Sequence, residues 1–139
     1  MSNSIALITW NERLSVKVKA VDEQHQKLVQ LLNELHDAML VGKGQDALGK
    51  ILDDLLQYTM THFAFEERLL STHGYPAFPK HKAMHDALVK QVTEFKERFD
   101  KGSIGLSVDM LEFLKSWLVN HIQGVDQAYA PHLHAKGVK

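Results

Sequence analysis

The chain is predicted to be all-α: an up-down-up-down antiparallel four-helix bundle with an N-terminal extended arm. Three observations lead there. Apolar residues recur at three- and four-residue steps in four segments, as they do on helices with one buried face. The breaks between these segments are short and carry Gly or Pro, which favours antiparallel neighbours. Strand-like alternation is confined to one stretch near the N-terminus, too short to build a sheet of its own. A length of 139 residues suits one domain with a real core, read here as arm 1–18, bundle 19–126 and C-terminal tail 127–139.

The elements follow in order. Trp10, Leu14, Val16 and Val18 of the arm are expected to cover one side or end of the bundle. The first helix is predicted over 19–41, where Val21, Leu28, Leu31, Leu32, Leu35 and Met39 form a stripe that Gly42 and Gly44 stop. The second is predicted over 46–72, along Leu48, Ile51, Leu55, Tyr58, His62, Leu69 and Leu70, ending at His73-Gly74-Tyr75-Pro76. The third opens near Pro79, a residue suited to a first helical turn, and carries His81, Met84, His85, Leu88, Val89, Val92, Phe95 and Phe99. The fourth starts around Ser107 and carries Met110, Leu111, Leu114, Trp117, Leu118, His121 and Ile122. Gly124 and Pro131 are read as marking its end and the tail.

Composition removes several function classes. There is no cysteine, hence no disulfide, thiolate metal site, iron–sulfur cluster or cysteine nucleophile. A net charge of −1 offers no basic field for nucleic acid or anionic lipid. No apolar run approaches the roughly 18 residues of a membrane span, and Met1–Trp10 lacks a basic n-region and a long apolar core, so no signal peptide or membrane insertion is expected. A cytoplasmic monomer is the expectation. The unusual count is histidine, at nine.

Five of those histidines fall into a pattern with two carboxylates: His25, His62, Glu66, His81, His85, His121 and Asp126. Residues four apart on an α-helix lie within about 40° of each other and roughly 6 Å along the axis. His62/Glu66 and His81/His85 are such pairs, so each can aim two ligands at one point. Glu67 lies about 140° from His62 and belongs on another face. His121 and Asp126 are five apart, which on a regular helix also points them about 140° apart. The fourth helix must therefore loosen into a π-type turn or end between them, and Gly124 permits either.

A single inward histidine is more often a hydrogen-bonded core residue than a ligand. Five imidazoles and two carboxylates converging in a small core are another matter, because burying them unpaired is too costly. Metal ions turn that penalty into binding energy. Imidazole suits iron, copper, zinc or nickel, and carboxylates bridge ions. Seven ligands exceed the needs of one first-row ion and fit two that share bridges. The other histidines fall outside: His36 lies about 16 Å further along its helix than His25, and His73 about 10 Å beyond Glu66, as cap, interface or rim residues. His132 and His134 are expected in a solvated tail.

These residues resemble the hemerythrin family, in its single-domain bacterial form, along essentially the whole chain. The likeness begins with Trp10 and Asp22-Glu-Gln-His25 and continues through His62-Phe-Ala-Phe-Glu66-Glu67 and Gly74-Tyr75-Pro76. It is completed by His81-Lys-Ala-Met-His85 and Trp117-Leu-Val-Asn-His121-Ile, with Asp126 and Tyr129. The resemblance implies two non-haem Fe ions as cofactor. One would be held by His81, His85 and His121. The other would be held by His25 and His62 and keep an open position for O2. Glu66 and Asp126 would bridge the pair together with an oxo or hydroxo group. The implied activity is reversible O2 binding, as an oxygen carrier, store or local delivery protein and not an enzyme, with O2 as the ligand.

A dry apolar pocket beside such a centre would limit water and proton access. Phe63, Trp117, Leu118, Ile122 and Val29 are the candidates. Around the ligands, Asp22 is expected to cap the first helix, with an imidazole hydrogen bond as the alternative. Gln24, Tyr58 and Tyr129 are further candidates for orienting the ligands, with surface or packing roles favoured.

Two other functions compete. An oxygen or redox sensor would need a separate partner. A di-iron peroxidase, oxidase or nitric-oxide-handling protein is the enzymatic option, but the Glu-x-x-His pairs of ferritin-like centres are missing. A mononuclear zinc hydrolase lacks its His-Glu-x-x-His, and a haem bundle its Cys-x-x-Cys-His.

Overall fold

The structure is a computed structural model that describes residues 7–102, 105 and 108–139. Expectations resting on Met1 to Ala6, and on Ser107 as the start of the fourth helix, lie outside the described residues. Helix α1 spans Lys19–Leu40, α2 Gln45–Thr72, α3 Phe78–Asp100, α4 Val108–His121 and α5 Gln127–Ala135. No strand occurs among the described residues. Among those residues, no helix is long and apolar enough to cross a membrane.

The four long rods pack α1 on α2, α2 on α3 and α1 on α4, closing the bundle. The first two turns end on left-handed glycines, Gly42 at φ 71° and Gly74 at φ 66°. After each, the next amide reaches back to the helix: Lys43 N to Ala38 O at 3.0 Å, and Tyr75 N to Leu70 O at 3.0 Å. Only glycine adopts that backbone without strain, so these stops are set locally.

The core divides along the bundle axis. Leu32, Leu35, Leu52 and Phe99 are buried in the half next to the α1–α2 connection. At the other end, the arm covers the bundle with Leu14, Val16 and Val18, each buried. Removing a side chain of this size from water stabilises by about 1.5–3 kcal/mol. Asp22 fastens the arm: its carboxylate accepts from Ser15 Oγ at 2.6 Å and from Val16 N at 2.8 Å. This corrects the expected role, since Asp22 neither caps α1 nor touches an imidazole. Lys17, between these anchors, has φ 59°, a conformation unusual for a side chain with a Cβ. Its amide donates to Ser15 Oγ and its carbonyl accepts from His134 Nε2.

A second correction concerns residues 127–139, expected to form a tail. The chain passes from α4 through a π-helical segment, Ile122–Asp126, straight into α5. Pro131 sits inside α5 without ending it. An internal proline costs a helix about 3 kcal/mol. Tyr129 and Leu133 are both fully buried, and two such side chains offset that cost. The helix is also tied down from outside: Gln127 donates to the carbonyls of Arg13 and Ser15, and His132 Nε2 donates to His73 O at 2.7 Å. His132 is therefore a half-buried docking residue, and His134, also half-buried, holds the arm through an exposed hydrogen bond.

Candidate metal centre

Each helix contributes side chains by the local geometry its spacing dictates. The i, i+4 pairs on α2 and α3 present His62 with Glu66 and His81 with His85, while α1 presents His25. The last residue of α4 is His121, and Asp126 closes the π-helical segment five residues later. An i→i+5 hydrogen-bond pattern widens the turn and brings residues five apart onto one face. Two inward ligands five residues apart require this departure from regular helix, and the structure contains it.

All seven groups are buried, and they separate into two overlapping sets. One is Glu66, His81, His85, His121 and Asp126; the other is His25, His62, Glu66 and Asp126. The carboxylates divide their oxygens between the sets. Glu66 Oε1 lies 2.6 Å from His81 Nε2 and 3.1 Å from His85 Nε2. Glu66 Oε2 lies 3.4 Å from His62 Nε2 and 3.8 Å from His25 Nε2. Asp126 Oδ1 lies 3.1 Å from both His81 Nε2 and His121 Nε2, and Oδ2 lies 3.1 Å from His25 Nε2. Each carboxylate thus faces one set with one oxygen and the other set with its second oxygen.

Metal ions fit this arrangement. Ligand atoms at right angles around an ion with bonds of about 2.1 Å stand roughly 3 Å apart, close to most of the spacings above. Two of these atoms approach their neighbours without hydrogen-bonding: His25 Nε2 and Asp126 Oδ1 are buried with no hydrogen-bond partner. They aim at shared points rather than at each other. Orphaned polar atoms of this kind are rare in a core unless an ion or water satisfies them.

The electrostatics of the metal-free cluster agree. Burial alone would lower the His25 pKa, but the carboxylates of Asp126 and Glu66 beside it raise it to about 9. His81 is likewise raised to about 9, against the effect of burial, by Asp126 and Glu66. Burial would raise the Glu66 pKa, but His25, His62, His81 and His85 around it hold it well below the ordinary range. Asp126, pushed up by burial and by Glu66, is held below its ordinary value by His121, His25 and His81. Protons held on His25 and His81 in this way compete with a metal ion for the same nitrogens.

A further layer holds the ligands in orientation. Gln24 Oε1 accepts from His62 Nδ1 at 2.6 Å. Tyr129 donates its hydroxyl to Glu66 Oε2 at 2.9 Å, and burial, then the charges of Glu66 and Asp126, raise its pKa well above normal. Gln24 and Tyr129 therefore take the alternative role, holding ligands of the cluster, rather than the surface or packing roles favoured for them. Glu67 lies outside the cluster, as its face demands, but reaches the rear of His85, with Oε2 3.0 Å from Nδ1. These contacts join different helices, so no spacing within one helix signals them. His36 and His73 stay away from the cluster; His73 Nδ1 donates to Leu69 O at 2.8 Å at the end of α2.

An apolar cavity of about 50 Å³ lies in the bundle beside Phe63 and Trp117, and none of the seven ligand residues lines it. Phe63, Trp117 and Leu118 line it together with Leu28, Leu32 and Leu114. Phe63 stacks on His85 with ring centroids 3.7 Å apart, and Trp117 stacks on His121 at 4.3 Å. Ile122 and Val29 are buried but do not line this cavity.

With this geometry in view, the comparisons with known proteins are direct. The family described as "Hemerythrin HHE cation binding domain" matches residues 16–133. The chain belongs to the hemerythrin family. A bacteriohemerythrin of Stenotrophomonas maltophilia is 39% identical over 94% of this chain and 84% of its own length. A bacteriohemerythrin of Methylococcus capsulatus is 37% identical over 94% of this chain and 100% of its own. A crystal structure of wild-type hemerythrin superposes with a TM-score of 0.88 at 37% identity, covering 92% of this chain and 98% of that one. The four-helix bundle and its buried His/Glu/Asp cluster are thus those of a hemerythrin-type protein.

Proposed function

We propose that this chain binds O2 reversibly at a non-haem di-iron centre, as an oxygen carrier, store or local delivery protein rather than an enzyme. The observation that carries the proposal is the division of carboxylate oxygens, Oε1 and Oδ1 toward three histidines and Oε2 and Oδ2 toward two. Two bridging carboxylates need two ions to bridge. His81, His85 and His121 would hold one iron, and His25 and His62 the other. With both carboxylates counted, the first set offers five ligands and the second four, so the second side is the more open to an added ligand. When bound, the iron pair supplies redox-active coordination positions for O2. Membership of the hemerythrin family supports iron as the metal.

The chain's own groups do the rest. Gln24 fixes the ring of His62, and Tyr129 holds the Glu66 bridge. Phe63, Trp117 and Leu118 provide an apolar approach that excludes water. Exclusion matters because a proton or water molecule at the centre favours one-way oxidation over release. Five imidazoles and the missing Glu-x-x-His pairs set the site apart from carboxylate-rich oxidases.

The test is iron content together with visible spectra of the reduced protein through repeated air and argon cycles. Two irons per chain and an oxygenated band that returns in each cycle are expected. Immediate one-way oxidation would favour redox sensing or peroxide chemistry. No iron after anaerobic reconstitution would overturn the site.

A further inference from the structure

Two of the metal-facing histidines are backed by side chains of different charge. His62 Nδ1 meets the neutral amide oxygen of Gln24 at 2.6 Å, whereas His85 Nδ1 meets the Glu67 carboxylate at 3.0 Å. The Nδ1 atoms of His25 and His81 are buried with no hydrogen-bond partner. With Nε2 turned to the cluster, Nδ1 of His85 carries the hydrogen and donates it to Glu67. The Glu67 side chain is 20% exposed, placed between the buried ring and the surface. Lys82 approaches its other oxygen only to 3.9 Å, while donating to both oxygens of Asp86 at 3.1 and 2.8 Å. Glu67 thus directs its charge chiefly at the imidazole.

We propose that Glu67 is a positioning residue that makes the His81/His85/His121 side of the centre the more easily oxidised of the two. A carboxylate accepting from an imidazole N–H makes the opposite nitrogen a stronger donor to its metal. Stronger donation favours the higher oxidation state. Gln24 fixes its histidine in the same way but adds no charge, so the two metal positions differ electronically beyond their ligand number. The inference rests on the di-iron reading above.

Glu67→Gln separates charge from geometry, because the amide still accepts a hydrogen bond. Changes at such outer partners alter metal affinity or activity by about 10–100-fold. A tenfold change in the preference for oxidised over reduced iron is about 59 mV for a one-electron couple. Spectroelectrochemical titration of the iron-loaded chain should therefore show Glu67→Gln shifted upward by about that amount or more, with two irons retained. Gln24→Glu, which adds charge on the other side, should shift the potential downward. An unmoved potential in Glu67→Gln with two irons bound would overturn this inference alone. Loss of an iron from Glu67→Gln would overturn it too, since the hydrogen bond rather than the charge would then be what matters. Fewer than two irons in the unaltered chain would overturn the di-iron reading and this inference with it.

Discussion

The two halves of the bundle are held by opposite physics. In the half next to the α1–α2 connection, Leu32, Leu35, Leu52 and Phe99 are buried, and the stabilisation is ordinary apolar burial. In the other half, seven ionisable or polar groups occupy the space that leucines fill elsewhere. Burying such groups is unfavourable unless each finds a partner, and here several buried atoms find none. One half is therefore complete as an apolar protein. The other is complete only with its ions, and its stability should depend on metal and pH in ways the first half does not share.

Metal removal should produce the largest contrast. Binding to the folded state alone stabilises by about 4 kcal/mol when free metal exceeds Kd a thousandfold. Chelator-stripped protein should lose amide-exchange protection around His25, His62, His85 and Asp126 and retain it around Leu35 and Leu52. Equal loss in both halves would break the comparison. pH should sharpen it. In the metal-free chain His25 and His81 have pKa values raised to about 9, above the ordinary histidine value of 6.5. Their stabilising contribution is fully present below about 6.5 and is lost as pH rises through about 9. Thermal melts of stripped protein should accordingly fall across that window, while metal affinity rises as protons cease to compete.

Removing a bridge comes next. Glu66→Ala or Asp126→Ala should reduce iron from two per chain and destabilise by about 3–5 kcal/mol, because the surrounding charges lose their partner. Glu67→Ala should still assemble two irons. Iron analysis showing equal losses for Glu66→Ala and Glu67→Ala would refute the assignment of faces on α2.

In the apolar half, Leu52→Ala should cost about 2–5 kcal/mol in denaturant unfolding through the cavity it leaves. Its iron content should be unchanged, and a fall would show that the halves are coupled. The smallest effect belongs to Tyr129→Phe, which removes the hydroxyl bound to Glu66. About 1–3 kcal/mol is expected from leaving that oxygen with one partner fewer, read as faster iron loss to chelator with the fold intact.

What the sequence determined by itself is whatever one helix decides alone. The i, i+4 pairs His62/Glu66 and His81/His85, the exclusion of Glu67 from that face, and the need for a widened turn between His121 and Asp126 all follow from the pitch of a single helix, while the stops at Gly42 and Gly74 follow from the left-handed backbone that glycine allows. That pitch is set by backbone geometry and is the same in every fold. Only the tertiary structure decided what faces what across helices: Gln24 behind His62, Glu67 behind His85, Tyr129 on Glu66, Asp22 on the arm, and which oxygen of each carboxylate meets which histidines. It also decided that residues 127–135 continue as helix past Pro131, where local propensity points to a stop. Contacts between helices depend on axial register and rotation, which packing of the whole core sets. Burial of Tyr129 and Leu133 against distant residues then outweighs the local cost of proline.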